Sequence, residues 1–98
     1  MHVISRKALR VFWTANPQAE GPLKAWFKIV DAASWGSFAE MRRTFPSADL
    51  VGRCTVFNVG GNNYRLVAVI HYNRGKIYIR RVMKHQEYDR GRWKDECC

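Results

Sequence analysis

The sequence predicts an α+β domain in which a small antiparallel β-sheet meander packs against two N-terminal helices. Apolar residues in the first half of the chain recur at the three- and four-residue spacing of amphipathic helices. From residue 53 onward the pattern changes to the two-residue alternation of strands, interrupted by two short turns. This separation of helices from strands along the chain is typical of the α+β class.

The helices are predicted from capping residues and apolar stripes, and they follow a short strand at residues 2–4. Ser5 can cap a first helix that runs to about Ala15 and ends at the Asn-Pro pair 16–17. The second helix has the i, i+3, i+4, i+7 stripe Leu23, Trp26, Phe27 and Val30. Ser37-x-x-Glu40 matches a capping box and opens a third, short helix that ends before Pro46.

Three strands are predicted at residues 53–59, 64–72 and 76–83, joined by turns at 60–63 and 73–75. Strands joined by such short turns form an antiparallel meander. If residues 73–75 are the loop, Tyr72 faces Lys76, and counting back pairs Ile70 with Tyr78, Leu66 with Val82 and Tyr64 with Lys84. One helical turn at residues 86–89 follows the last strand.

The length of 98 residues predicts one domain, residues 1–98, in which 91–98 form a flexible tail. Hydrophobic residues make up 47% of the chain, which supports a core and excludes a largely disordered protein. No apolar run approaches the roughly 20 residues needed to cross a bilayer. We therefore expect a protein that is neither secreted nor membrane-spanning.

The three cysteines agree with a cytoplasmic location. Cys54 stands alone, Cys97 and Cys98 are adjacent in the tail, and no C-x-x-C spacing occurs. This pattern predicts neither a disulfide framework nor a metal site, and no cofactor is expected.

A formal net charge of +9, from 17 basic and 8 acidic residues, predicts an acidic partner. Residues 1–49 hold seven basic and four acidic residues, whereas residues 50–98 hold ten and four. We therefore expect the second half of the chain to contribute most of the surface that binds nucleic acid.

The hairpin geometry brings a chemically distinct group to one end of the sheet. Arg65, at the start of one strand, must lie beside the end of the next strand and the residues after it: Lys84, His85, Tyr88 and Asp89. Cations can hold a scissile phosphate, an imidazole exchanges protons near neutral pH, and a phenol and a carboxylate can assist. The group therefore contains the chemical parts needed to cleave RNA. Alternatively, His85 is a solvated or capping residue and Arg65 has a structural partner in Glu87 or Asp89.

Several segments resemble the HigB family of type II toxins, in the RelE/ParE superfamily. They are Val56–Asn62, Tyr64–Val67, Tyr78–Arg80 and His85-x-x-Tyr88-Asp89, and the resemblance covers about residues 1–90. It implies a RelE-like fold and an mRNA interferase that cleaves messenger RNA, usually in the ribosomal A site. The implied partner is a HigA-type antitoxin with a helix-turn-helix domain.

The resemblance also implies roles for individual residues. RelE-like members place an arginine of a Tyr-Arg-Leu strand, and basic residues and a tyrosine after the last strand, at the active site; Arg65, Lys84 and Tyr88 correspond. On this reading Arg65 and Lys84 bind the phosphate, His85 is the general acid or base, Tyr88 orients substrate or relays a proton, and Asp89 orients its neighbours. Further RNA contacts are expected from Arg53, Arg80 and Arg81.

Two other functions compete with this one. A gyrase-directed toxin of the ParE branch shares the fold but acts by binding a protein. A non-catalytic basic module binds nucleic acid through charge alone. The cluster from His85 to Asp89 favours the nuclease.

Overall fold

A computed structural model describes residues 1–97, and its elements confirm the α+β class. Short 3-10 segments lie at Pro17–Ala19, Tyr72–Arg74 and Arg92–Cys97. The helices are α1 (Arg6–Ala15), α2 (Glu20–Ala32), α3 (Phe38–Thr44) and α4 (His85–Arg90). The strands are β1 (His2–Ile4), β2 (Asp49–Val51), β3 (Cys54–Val59), β4 (Tyr64–His71) and β5 (Lys76–Lys84).

The five strands form one mixed sheet in the order β1-β5-β4-β3-β2. Its centre is the predicted antiparallel meander β3-β4-β5. The short first strand, β1, pairs in parallel with β5, so the sheet is not purely antiparallel. Strand β2 was not predicted; it pairs with β3 through a two-residue turn at Gly52 and Arg53, where Gly52 has a positive φ of 58°.

The register between β4 and β5 follows the prediction at one end and departs from it at the other. Tyr64 faces Lys84 and Leu66 faces Val82, as predicted. Nearer the hairpin, Ile70 faces Ile77 rather than Tyr78. The difference arises at a β-bulge: Val67 and Ala68 face Arg81 and Ile79, which leaves Arg80 as the extra residue.

The sheet is covered on both faces, and each face has its own buried cluster. On one face the two long helices pack against alternate strand residues, with Leu9, Leu23, Val30, Phe57, Leu66 and Ile77 at most 1% exposed. The opposite face carries the cluster Cys54, Val56, Val67, Met83, Trp93 and Cys97. Because side chains alternate along β4, Arg65 belongs to this second face together with Val67.

Of the two helix caps predicted from the sequence, within residues 1–97 the one at Ser37 is present and the one at Ser5 is not. Ser37 caps α3, because its hydroxyl accepts a hydrogen bond from the Glu40 amide at 3.2 Å. The Glu40 carboxylate reaches back to the amide of Gly36, one residue before the position of an ideal capping box. Ser5 stands at the N-cap position of α1, but across the described chain its side chain makes no capping hydrogen bond.

The C-terminal segment is not the flexible tail that the sequence predicted. Residues Arg92–Cys97 form a 3-10 helix, in which Trp93 and Cys97 are each 1% exposed. Cys97 forms a disulfide with Cys54, which contradicts the prediction of unpaired cysteines. Burial against the second face of the sheet explains the order of this segment. Cys98 lies outside the described residues.

Candidate active site

Arg65 is fixed at the second position of β4, directly after the turn that follows β3. Its guanidinium Nη1 donates hydrogen bonds to the carbonyl oxygens of Asn62 and Tyr64, both at 3.1 Å. The guanidinium carbon lies 5.3 Å from the ring centroid of Tyr88. Since β4 is the central strand, these contacts hold a half-buried cation at one end of the sheet. The predicted proximity of Arg65 and Tyr88 is therefore present, and within residues 1–97 Arg65 forms no salt bridge with Glu87 or Asp89.

Tyr88 lies on the short helix α4 and is held from a second side by Trp93. The two rings stack with centroids 4.9 Å apart and an interplanar angle of 16°. The indole Nε1–H also donates a hydrogen bond of 2.9 Å to the Tyr88 carbonyl oxygen. The helix ends at Gly91, whose positive φ of 75° turns the chain so that Trp93 can return to Tyr88. Arg65, Tyr88 and Trp93 thus form a contiguous set of contacts.

His85 and Asp89 form a second pair, one helical turn apart on α4. The imidazole Nδ1 lies 3.1 Å from the Asp89 Oδ2, and the two side chains are 47% and 61% exposed. The His85 amide donates to the Asn63 carbonyl at 3.1 Å, so α4 starts on the same turn that holds Arg65. The carboxylate favours a proton on Nδ1, which leaves Nε2 free to accept one. This open pair is suited to proton transfer rather than to stabilising the fold.

Lys84 lies at the same end of the sheet but faces away from Arg65. It pairs across the strands with Tyr64, which belongs to the cluster beneath the helices. Met83, the preceding residue, is the cross-strand partner of Arg65. Lys84 lines a shallow recess with the segment between α1 and α2, which contributes Ala15, Asn16, Pro17 and Gln18.

The three arginines expected to bind RNA are spread along the sheet. Arg53 is in the turn before β3, about 17 Å along the strand direction from the level of Arg65 by the rise per residue. Arg80 is exposed at the β-bulge. Arg81 shares the face of Arg65, two positions along β5, and forms an ion pair with Glu96. Of these three arginines, Arg81 is therefore the one that lies near Arg65 on the same face of the sheet.

A cleft beside the site was not predicted from the sequence. It has a volume of about 200 Å³ and lies between β5, α4 and the C-terminal segment, lined by Arg81, Met83, Glu87, Arg90, Arg92 and Trp93. Its three arginines and one carboxylate suit an anionic ligand. Trp93, the one large aromatic residue after Tyr88 in the sequence, was the available signal that the C-terminal segment packs against the sheet.

Neither a metal centre nor a membrane segment is found in the described part of the chain. No group of three or more His, Cys, Asp or Glu side chains within residues 1–97 is placed to hold a metal ion. Over the same residues, no helix has the length and apolar character needed to cross a bilayer.

Comparisons with known proteins agree with the resemblance seen in the sequence. Residues 19–91 match the model of the HigB toxin family, described as the RelE-like toxic component of a toxin–antitoxin system. The chain is 37% identical over 92 residues to the mRNA interferase toxin HigB of Escherichia coli strain K12, covering 91% of this chain and 88% of that protein. It is 27% identical over 93 residues to the mRNA interferase HigB of Escherichia coli O6:H1, covering 92% and 90%.

Proposed function

Because this chain belongs to the HigB toxin family, the RelE-like toxic component of a toxin–antitoxin system, we propose that it is an mRNA interferase acting through Arg65, Tyr88 and His85. Relatives that are 37% identical over most of the chain carry the name mRNA interferase. The observation that carries the assignment to residues is the Arg65 guanidinium held against Tyr88, beside the open His85–Asp89 pair. A cation and an imidazole that can exchange protons, placed at the same end of the sheet, suit phosphodiester cleavage.

The reaction begins with attack of a ribose 2′-oxygen on the neighbouring phosphorus. His85 Nε2 takes the 2′-hydroxyl proton, and Asp89 stabilises the resulting imidazolium through Nδ1. Arg65 lies where it can compensate the negative charge that develops on the phosphorane oxygens. The bond to the 5′-oxygen then breaks, that oxygen takes a proton from solvent water, and the His85 imidazolium returns its proton to the solvent. The products are a 2′,3′-cyclic phosphate and a free 5′-hydroxyl.

The remaining predicted residues act on substrate position. Tyr88 orients Arg65 and offers its ring edge and hydroxyl to the substrate. Lys84, on the opposite face of the sheet from Arg65, contacts the RNA backbone away from the scissile phosphate. Arg81 continues the basic surface from Arg65 toward the cleft that holds Arg90 and Arg92, while Arg53 and Arg80 supply charge farther along the sheet.

The toxin family implies an antitoxin as partner. We assign this role to a HigA-type antitoxin with a helix-turn-helix domain. The messenger RNA is engaged in the ribosomal A site, in the cytoplasm, where translation supplies the substrate. The ribosome can contribute positioning that this small, exposed site does not provide by itself.

Primer-extension mapping of cellular mRNA after brief induction tests this function. Wild-type chain is compared with Arg65→Ala and with Arg74→Ala, which removes an exposed arginine from the turn at the far end of β4. Loss of a preorganised cation from the transition state lowers the cleavage rate by about 100-fold or more, so Arg65→Ala should give no detectable cuts. Arg74→Ala should cut as the wild type does. Cyclic phosphate ends on the fragments identify the 2′-oxygen as the nucleophile.

Blocking translation before induction tests the dependence on the ribosome. Cuts that appear only during translation support action in the A site. Growth arrest without any cuts supports the gyrase-directed alternative and contradicts the nuclease. Cleavage by Arg65→Ala at the wild-type rate contradicts the proposed site.

A further inference from the structure

Tyr88 depends on groups outside its own helix for its position. Helix α4 has six residues, too few to be stable without tertiary contacts. Its start is tied to the Asn63 carbonyl. The Tyr88 side chain packs against the buried cluster of the second face, and its ring makes a cation–π contact with Arg65 and a stacking contact with Trp93. Arg65 ends in a long, flexible side chain. Of these two ring contacts, the one with Trp93 is therefore the rigid one.

Trp93 is itself firmly held. Its side chain is 1% exposed and packs in one cluster with Val67 on β4, Met83 on β5 and Val56 on β3. The segment that carries it is joined to β3 by the disulfide of Cys97. This anchoring gives the indole ring a fixed location relative to the sheet that also carries Arg65.

The contacts between Trp93 and Tyr88 fix both the backbone and the ring. The indole N–H donates to the Tyr88 carbonyl at 2.9 Å, and the stacked indole limits rotation of the phenol ring. The phenol ring in turn lies 5.3 Å from the Arg65 guanidinium carbon. A displacement of Trp93 would therefore reach Arg65 through one intervening ring.

We propose that Trp93 is a positioning residue for RNA cleavage: it sets the orientation of Tyr88, and through Tyr88 the placement of Arg65 against the scissile phosphate. This inference rests on the proposed nuclease function. It assigns a role in the reaction to the C-terminal segment, which lies beyond the family match at residues 19–91. With 1% of its surface exposed, Trp93 acts through Tyr88 rather than by contact with the reacting atoms.

The test is a double-mutant cycle in a purified translation system that cleaves a defined mRNA. The variants are Trp93→Leu, which keeps an apolar side chain but removes the stacked ring and the N–H donor, Tyr88→Ala, and the double variant. The cleavage rate at saturating toxin and the toxin concentration at half-maximal rate are measured for each. Val56→Ala is the matched control, because Val56 is 2% exposed in the same buried cluster but lies on β3, outside α4 and the C-terminal segment.

Trp93→Leu should lower the saturating rate about ten-fold, a loss typical of a misplaced catalytic group. The half-maximal concentration should stay within two-fold of wild type, and Trp93→Phe should restore a rate within three-fold of wild type because it keeps the stacked ring. In the Tyr88→Ala background, Trp93→Leu should cause no further loss. Val56→Ala should cleave within two-fold of wild type at a temperature where all variants are folded.

Three results would overturn the inference: a rate for Trp93→Leu no lower than that of Val56→Ala, a full ten-fold further loss in the Tyr88→Ala background, or no rescue by Trp93→Phe. If Trp93→Leu does not fold, the cycle is run with Trp93→Phe and Trp93→Met, and additive losses overturn the inference in the same way. A wild-type chain that cleaves no mRNA contradicts the proposed function itself, which separates that failure from a failure of the positioning role.

Discussion

Reduction of the Cys54–Cys97 disulfide should remove a large part of the stability of this fold. The bond joins cysteines 43 residues apart in sequence, so it closes a long loop in the unfolded chain. Loop-closure entropy for about 43 residues corresponds to about 4 kcal/mol at 25 °C. That amount is comparable to the whole stability of many small domains.

The same quantity can be expressed as a change in melting temperature. A chain of 98 residues has an unfolding entropy of about 0.2 kcal/mol/K near its midpoint. A loss of about 4 kcal/mol then lowers Tm by about 20 °C. Both cysteine side chains are at most 1% exposed, so the reduced thiols remain buried and the native contacts are otherwise kept.

Urea unfolding followed by circular dichroism measures this difference. The Cys98→Ser chain is used, since it leaves Cys54 and Cys97 as the only cysteines, and it is compared with and without a phosphine reductant. A chain that carries Ser at both 54 and 97 controls for effects of the reductant. Peptide mapping without reduction should recover a cross-linked peptide that joins the two cysteines. A stability difference below about 1 kcal/mol, or the absence of that peptide, would refute the reasoning.

Three further perturbations test other parts of the fold. Gly52→Ala should destabilise the fold by about 1–3 kcal/mol, because φ is +58° and the added Cβ would lie 2.0 Å from a backbone oxygen of the C-terminal segment. Gly61→Ala, where φ is +67° but the space around the Cβ is open, should lose less stability. Urea unfolding measures both. Ser37→Ala should cost about 1 kcal/mol through the lost cap, whereas Ser5→Ala should cost less in the same assay. Burial raises the pKa of the Tyr72 phenol above its ordinary value of 10.0. The native state therefore holds this proton more tightly than the unfolded state, and stability falls as pH rises above 10. Tyr72→Phe should show a shallower fall in Tm between about pH 9 and 11.

The helices and the meander were predictable because their apolar spacing is regular. Leu23, Trp26 and Val30 are buried as the helical stripe requires, and the alternating residues of β4 divide between the two faces. Strand β2 was not predicted, since its three residues begin with Asp49, a residue type depleted in strands, and lie before the regular alternation that starts at residue 53. Its pairing is set by the turn at Gly52 and by the edge of β3.

The candidate site was predictable in part. The antiparallel pairing was enough to bring Arg65 to the residues after β5, and the contact with Tyr88 follows from it. The role of the last residues was missed because an odd cysteine count argued against a disulfide, while the burial of Trp93 and Cys97 depends on a sheet face that only the tertiary structure defines. The formation of this bond also removes cysteine usage as an argument for cellular location.

The β-bulge at Arg80 and the turn between β4 and β5 each add one residue relative to the predicted hairpin, and the two additions cancel in the strand register. The turn holds residues 72–75, one more than the predicted loop of 73–75, and the extra residue in β5 restores the phase of the strand before it reaches Arg65. Loss of one residue from the turn alone would slide β5 by one position and exchange its two faces, turning Met83 toward the helices. A change in the length of this exposed hairpin therefore needs a compensating change at the bulge to keep Met83 on the same face as Arg65.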